Sequence, residues 1–433
     1  MYTTAVGATW AGTHTFRAHR LYTPSSIEEA ADVIANSDRV RAVGTRHSFN
    51  DIADGTAMIS MLDIEPGLSL DTEARTVWVA GGTRYGELAV WLETHGYALR
   101  NMGSLPHISI AGAAATGTHG SGDTNGMLAT SINSLELITA SGEIARFDRS
   151  HPDFPGMAPS MGSLGVVTRV GLDIEPTYLV RQDLYGGLDW NIALRELDSV
   201  MAAGYSVSLF TTWDEPTISG VLVKSRVADG GHVPDTLFGA RSVRHGDPEL
   251  GALGDNRTVL GGVPGPWLER LPHFRLDATP SHGDEIQSEY FVSRPDAPSA
   301  LAALLEIGED IARPLIASEL RSVAADDRWM SPASGRDSLA IHFTWRNEPD
   351  AVAAILPRIE AALAPFRARP HWGKAFAMEA ESIRPLYPRM DDFIALVHRV
   401  DPTGKFRNHY TQRVLGIRND ELSLAQRHPP ASR

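Results

Sequence analysis

The side chains best placed to do chemistry fall in a few short stretches. In Val40-Arg41-Ala42-Val43-Gly44-Thr45-Arg46-His47-Ser48-Phe49-Asn50 an apolar alternation (Val40, Ala42) breaks at Gly44, so a turn presents one imidazole and several backbone N–H groups together. Glu319 and Arg321 stand two residues apart, as do His342 and Thr344. Residues two apart in a strand share a face, so His342 and Thr344 project one way while Leu339, Ile341, Phe343 and Trp345 project the other, into a core. Carboxylate, guanidinium, imidazole and hydroxyl supply donors and acceptors together, which suits a polyhydroxylated molecule. His371-Trp372-Gly373-Lys374 adds an ammonium able to hold an alcohol oxygen or, once desolvated, to exchange its proton.

Taken singly, each group has a plainer reading: His47 as a loop histidine, Glu319 and Arg321 as charges on a solvated strand, Lys374 as a surface lysine. Residues 101–126 weigh against those readings. They are crowded with Gly, Ala, Ser and Thr, too small to make a core but suited to exposing backbone and hydroxyls to a closely approaching ligand.

The elements that must carry these groups are mixed. Ser26 and Glu29 read as a capping box opening a helix that runs to about Ala35. Strands are expected at 76–80, 134–140 and 166–174, with a hairpin turn at 141–143 and a helix around 88–92 ended by Gly96. Pro176 closes this block. Strands at 206–212, 220–227, 288–292, 318–323 and 338–346 follow, with helices at 300–312, 351–363 and 391–400. Residues 229–256, rich in Gly, Pro and charge, read as a surface insertion or mobile loop, and the last dozen residues as frayed. The expected organisation is α+β: a first domain over 1–180, a second built on an antiparallel sheet over 181–375, and a C-terminal segment, 376–433, completing the structure.

Composition narrows the function. The 433 residues are too many for one small core, and 42% hydrophobic with 21% charged is ordinary for a globular protein. A net charge of −14 without a basic stripe argues against nucleic acid and anionic membrane as partners. The absence of cysteine excludes disulfides, thiolate catalysis and cysteine-ligated metals. Neither a cleavable leader nor 18 consecutive apolar residues is seen, so the expectation is a cytoplasmic, non-membrane protein. Signatures of Rossmann dehydrogenases, P-loop enzymes, zincins and α/β-hydrolases are missing.

Six segments in order, 44–50, 101–109, 115–120, 319–321, 342–344 and 371–374, resemble the alditol (xylitol) oxidases, members of the vanillyl-alcohol-oxidase-like flavoproteins. The resemblance runs over nearly the whole chain. It implies a two-part FAD-binding domain of the PCMH type under a substrate-binding cap, with FAD joined covalently through His47. Ala42, Val43, Gly44, Thr45, Arg46, Ser48, Ser104, Ser109, Gly112, Thr116, Gly117, Thr118, His119, Gly120, Val166 and Val167 would lie along the cofactor, backbone N–H groups meeting its pyrophosphate. Ser104, Glu319, Arg321, Thr344 and Lys374 would bind a polyol.

The implied reaction is hydride transfer from the terminal carbinol carbon to flavin N5, loss of the hydroxyl proton, and reoxidation by O2 to H2O2. His342, assisted by Lys374, would take the proton, with Glu319 and Arg321 holding the other hydroxyls. Two departures stand out: Arg46, where glycine also occurs in related flavoproteins, and Gly103, where alanine can occur and where the missing side chain implies freer access of O2. The substrates expected are a polyol and O2, the state monomeric, the metal content nil. Competing readings are an aldonolactone oxidase or dehydrogenase, and a non-catalytic sugar-binding flavoprotein.

Overall fold

The computed structural model describes residues 1–230, 234–244, 247, 255–279 and 283–417. In the first helix, α1 (Ile27–Ala35), the Ser26 side chain accepts from the Glu29 amide. The Glu29 carboxylate turns instead to the Ser25 amide and the N-terminal amine, so only half of the expected capping box forms. β1 (Arg41–Val43) runs parallel to β2 (Met58–Ser60) in a small four-stranded sheet.

β3 (Thr76–Ala80), α2 (Tyr85–Thr94), α3 (Ile110–Thr116), β4 (Ile132–Ile138), β5 (Ile144–Asp148) and β6 (Val166–Asp173) follow. The strands form an antiparallel sheet in the order β3-β6-β4-β5 beyond an edge strand at Ser69–Asp71. α3 corrects the reading of 101–126 as too small-sided for a core, because Ile110, Ala113 and Ala114 are buried in it. Small side chains here make a thin helix that packs closely, and they do not keep the backbone irregular.

The second half is organised on one large sheet. β7 (Leu179–Gly186), β8 (Ser206–Thr211), β9 (Gly220–Arg226), β10 (Glu285–Ser293), β11 (Leu315–Val323) and β12 (Ser338–Arg346) are antiparallel neighbours in the order β7-β9-β8-β11-β12-β10. Leu339, Ile341, Phe343 and Trp345 share a core with α4 (Ala297–Leu305), α5 (Gly308–Ala312) and α6 (Pro349–Leu363). The single helix expected at 300–312 is two, broken where Ile307 leaves helical geometry (φ −111°, ψ 17°).

Part of the expected insertion is sheet: Ala240–Val243 pairs with β7, burying Ala240 and Val243. The rest of that reading, at 231–233, 245–246 and 248–254, and the frayed last dozen residues lie outside the described residues. Between β6 and β7 the chain passes from one large sheet to the other, yet one apolar cluster runs from Ile52 through Val170 and Leu320 to Ile417. After α7 (Met390–Val400) the chain returns to its start: Lys405 Nζ donates to Ile34 O at 2.6 Å, and Asn408 Nδ2 to the carbonyls of Ile52 and Asp54.

Candidate functional site

A cavity of about 520 Å³ opens between the loops of the first half and the polar face of the large sheet. Ala42, Val43, Gly44, Thr45, Arg46, His47, Ser48, Ser104, Ser109, Gly112, Thr116, Thr118, His119, Val166 and Val167 line one side. Gly117 and Gly120, expected beside them, do not. Gly117 closes α3 in the left-handed conformation (φ 74°), and a Cβ at Gly120 would lie 2.4 Å from Met102 O, so both glycines serve the turn itself.

This loop wall is built by close approach. A Cβ on Gly44 would come within 2.2 Å of Ser109 Oγ, so glycine lets the loop after β1 meet the start of α3 without turning that side chain aside. Thr45 Oγ1 accepts from the Ser109 amide, and the amides of Ile110 and Ala111 donate to Thr83 O and Gly81 O; those three groups are thereby committed to the protein. Arg46 adopts φ 64°, a conformation natural to glycine. Its guanidinium donates to Val6 O at 2.7 Å and lies over the Phe16 ring, which offsets the strain. Next to it, His47 stacks on Trp10 (centroids 5.2 Å apart, planes at 20°), and its buried Nδ1 has no hydrogen-bond partner. Burial, then electrostatic repulsion from His107 and Arg84, outweighs the nearby Thr45 backbone, which favours the charged ring, and pushes its pKa down to about 4, so the ring is neutral at ordinary pH.

The opposite wall is a lattice of charged side chains. Register aligns Phe210, Glu319, His342 and Glu289 across β8, β11, β12 and β10, with Thr344 opposite Gln287 and Arg321 opposite Ser208 in the adjoining rows. Arg321 reaches Ser104 Oγ at 3.3 Å and Glu289 Oε1 at 2.7 Å, and its Nε lies 3.7 Å from Glu319 Oε2. Lys374 Nζ lies 2.7 Å from both Glu289 Oε2 and His342 Nδ1, and His342 Nε2 lies 3.0 Å from Thr344 Oγ1. The expected Ser104, Glu319, Arg321, His342, Thr344 and Lys374 are thus gathered on one cavity.

Their charges are set by one another. For Glu289 burial acts upward, but Lys374, His119 and Arg321 together hold the carboxyl well below its usual range. Glu319 is held down in the same way by Arg321 and His273 against the pull of burial. Burial first, then Lys374, keeps His342 neutral far below the usual histidine pKa, and burial also lowers Lys374. The two carboxylates and the two cations they touch, Arg321 and Lys374, cancel in charge.

Glu289 and His273 are central here, and the sequence reading missed both. Glu289 had a signal: Gln287 and Glu289 are two apart before the apolar Tyr290-Phe291-Val292. His273, whose Nε2 lies 2.7 Å from Glu319 Oε1, comes from an irregular loop with no period to reveal it. Among the described residues no cluster of His, Asp and Glu is arranged to hold a metal, and no helix is long and apolar enough to cross a membrane.

Comparison with known proteins bears on both walls. The family profile described as FAD binding domain matches residues 18–148, and that described as D-arabinono-1,4-lactone oxidase matches residues 283–414. An alditol oxidase from Streptomyces sp. is 46% identical over 412 residues, 94% of this chain and 98% of that one. An L-gulono-1,4-lactone dehydrogenase from Mycobacterium tuberculosis is 30% identical, covering 95% and 99%. The crystal structure of cholesterol oxidase from B. sterolicum superposes with a TM-score of 0.78 at 14% identity, covering 96% of this chain and 97% of that one, a likeness of PCMH-type fold. The loop wall fits a flavin dinucleotide on its own features: a slot kept open by close backbone packing, and one neutral imidazole nitrogen without a partner.

Proposed function

We propose, for a chain that belongs to the alditol oxidase family of FAD-binding oxidoreductases, that it oxidises the terminal hydroxyl of a polyol such as xylitol or sorbitol to the aldose, with O2 reduced to H2O2. The observation that carries this reading is the meeting, in one cavity, of His47, whose buried Nδ1 has no partner, with a charge-balanced wall of donors and acceptors. A neutral, hydroxyl-rich chain suits such a wall, since it brings no charge to upset the balance and exchanges water hydrogen bonds for directed ones.

Residues 1–180 with the returning C-terminal segment hold FAD, and 181–375 supply the substrate wall. His47 would hold FAD covalently through its Nδ1, and the 42–48 and 104–118 loops would hold the rest of the cofactor. Bound there, FAD supplies a hydride acceptor that O2 reoxidises. Glu319, Arg321 and Ser104 hold hydroxyls away from the reacting carbon. His342 Nδ1 takes the hydroxyl proton when the alcohol enters between it and Lys374 Nζ, which then faces the developing negative oxygen. Glu319 and Glu289, on the strands to either side, stabilise the imidazolium formed. The protein works as a cytoplasmic monomer.

Xylitol or sorbitol added anaerobically should bleach the flavin, and air should then yield about one H2O2 per turnover. Bleaching by an aldonolactone alone would transfer the assignment to the lactone enzymes, whose profile also fits 283–414. Acid precipitation should leave yellow colour in the wild-type pellet and none in His47→Ala; a colourless wild-type pellet removes the covalent link.

A further inference from the structure

Lys224 is a buried lysine that lines no part of the cavity, yet it is tied to a residue that does. It projects from β9, where it pairs with Ser206 of β8 and Gln182 of β7. Over this end of the sheet lies an irregular strap, 255–276, that crosses to the first half of the chain: the amides of His273 and Phe274 donate to Ser104 O, and His107 Nε2 meets Leu276 O at 2.9 Å. Gln182 holds the strap through Thr258 Oγ1 and Val259 O. Lys224 Nζ donates to Leu271 O and lies 3.3 Å from His273 Nδ1. His273 Nε2, at the other side of the ring, lies 2.7 Å from Glu319 Oε1.

We propose that Lys224 is a positioning residue that fixes the ring of His273 in its Nε2–H form, and that the Lys224–His273–Glu319 relay sets how the substrate wall reads the hydroxyls of its polyol. The inference rests on the polyol reading of Glu319. Below about 7, where burial puts its pKa, Lys224 is an ammonium with only donors to offer, and the ionised Glu319 has only acceptors, so His273 Nδ1 accepts and the single proton of the neutral ring lies on Nε2. Burial, then Lys224, puts His273 at about 4, so the imidazole is neutral at ordinary pH. Glu319 Oε1 is therefore already an acceptor for His273, and Oε2, 3.7 Å from Arg321 Nε, is left to take a substrate O–H. Without Lys224 the Nδ1 side of the ring loses its donor, and the ring is free to tilt or flip away from the Nε2–H contact with Glu319.

Lys224→Met tests this, with bound flavin and thermal midpoint as controls on folding. KM for xylitol should rise about tenfold while kcat falls less than threefold, because substrate grip is lost and the proton-taking His342 is untouched. His273→Gln, which can still accept from Lys224 and donate to Glu319, should lose several-fold less in kcat/KM than His273→Leu. Equal losses in the two, or an unchanged KM in Lys224→Met, overturn the relay and leave the polyol reading standing. If wild-type enzyme oxidises no polyol, that reading falls by itself. The relay is then decided by long-range proton–nitrogen NMR of the ring missing from His273→Gln: an Nε2–H form in wild type that becomes a mixture in Lys224→Met supports it, and the same form in both rejects it.

Discussion

The two walls of the cavity are built on opposite principles. The loop wall from 42–48 and 104–118 works mainly through backbone brought close by small residues, and its one conspicuous side chain, His47, has a nitrogen with no partner. On the sheet wall the side chains do the work, and Glu289, Glu319, Arg321, His342 and Lys374 all touch at least one other member. A wall of the first kind tolerates change away from its close contacts. One of the second kind fails as a unit, because each buried charge is held by the next.

The largest expected effect tests the sheet wall at His342, the member proposed to take the proton. His342→Ala should lower kcat/KM by roughly 10²–10⁴-fold while the flavin stays bound. The pH profile sharpens the point. A base works above its pKa, and His342 is lowered well below 6.5 by burial and Lys374, so wild-type kcat/KM should persist as pH falls through 6.5 and fail only well beneath it. Lys374→Met removes the repelling cation, and the residual activity should lose its acid side at a higher pH. An acid limb that stays in place would remove Lys374 as the neighbour that holds His342 down.

Next comes Glu289→Gln, which leaves Lys374 without its buried counter-charge and Arg321 with Glu319 alone, and should destabilise the fold by about 3–5 kcal/mol. Combining it with Lys374→Met should cost clearly less than the sum of the single changes by denaturant unfolding. Additive costs would mean that the wall is a set of independent groups, and the contrast with the loop wall would fail.

How legible each wall was follows from the same difference. Close-packed backbone leaves a compositional trace, so the Gly/Ala/Ser/Thr crowding at 101–126 and the Gly44 turn pointed to loops that line the cavity, although α3 inside them did not show because its turn of helix lacks bulky periodic residues. Period two exposed Glu319 with Arg321 and His342 with Thr344, each pair local to one strand. What one strand cannot encode is its neighbour: that β10 sets Glu289 beside His342, or that the strap brings His273 to Glu319, depends on pairing between distant segments. The whole-chain resemblance supplied the functional reading, and the geometry supplied the partners.

On the loop wall the expected effects are smaller. Arg46 holds φ 64° and offsets the strain through Val6 O and Phe16. Arg46→Val puts a β-branched residue in that conformation and removes both anchors, so it should destabilise by about 1–2 kcal/mol in thermal unfolding. Arg46→Gly, which relaxes the backbone while losing the same anchors, should cost less. A valine variant as stable as the glycine one would show that the backbone is not held left-handed in solution.

The smallest change reaches the reaction with O2. Gly103 carries no positive φ, and a Cβ there would meet Thr118 Cγ2 at 3.4 Å, His119 O at 3.6 Å and Ile108 Cδ1 at 3.9 Å, which are ordinary contacts. Gly103→Ala should therefore fold, and the stiffer unfolded chain should make it about 0.4–1 kcal/mol more stable. The added methyl presses on Thr118, His119 and Ile108, all of which line the cavity, without entering the charged lattice. Reduction by xylitol should keep its rate while reoxidation of the reduced flavin, followed after mixing with O2, slows several-fold. If reoxidation is as fast as in wild type, the missing side chain at 103 has no part in oxygen access.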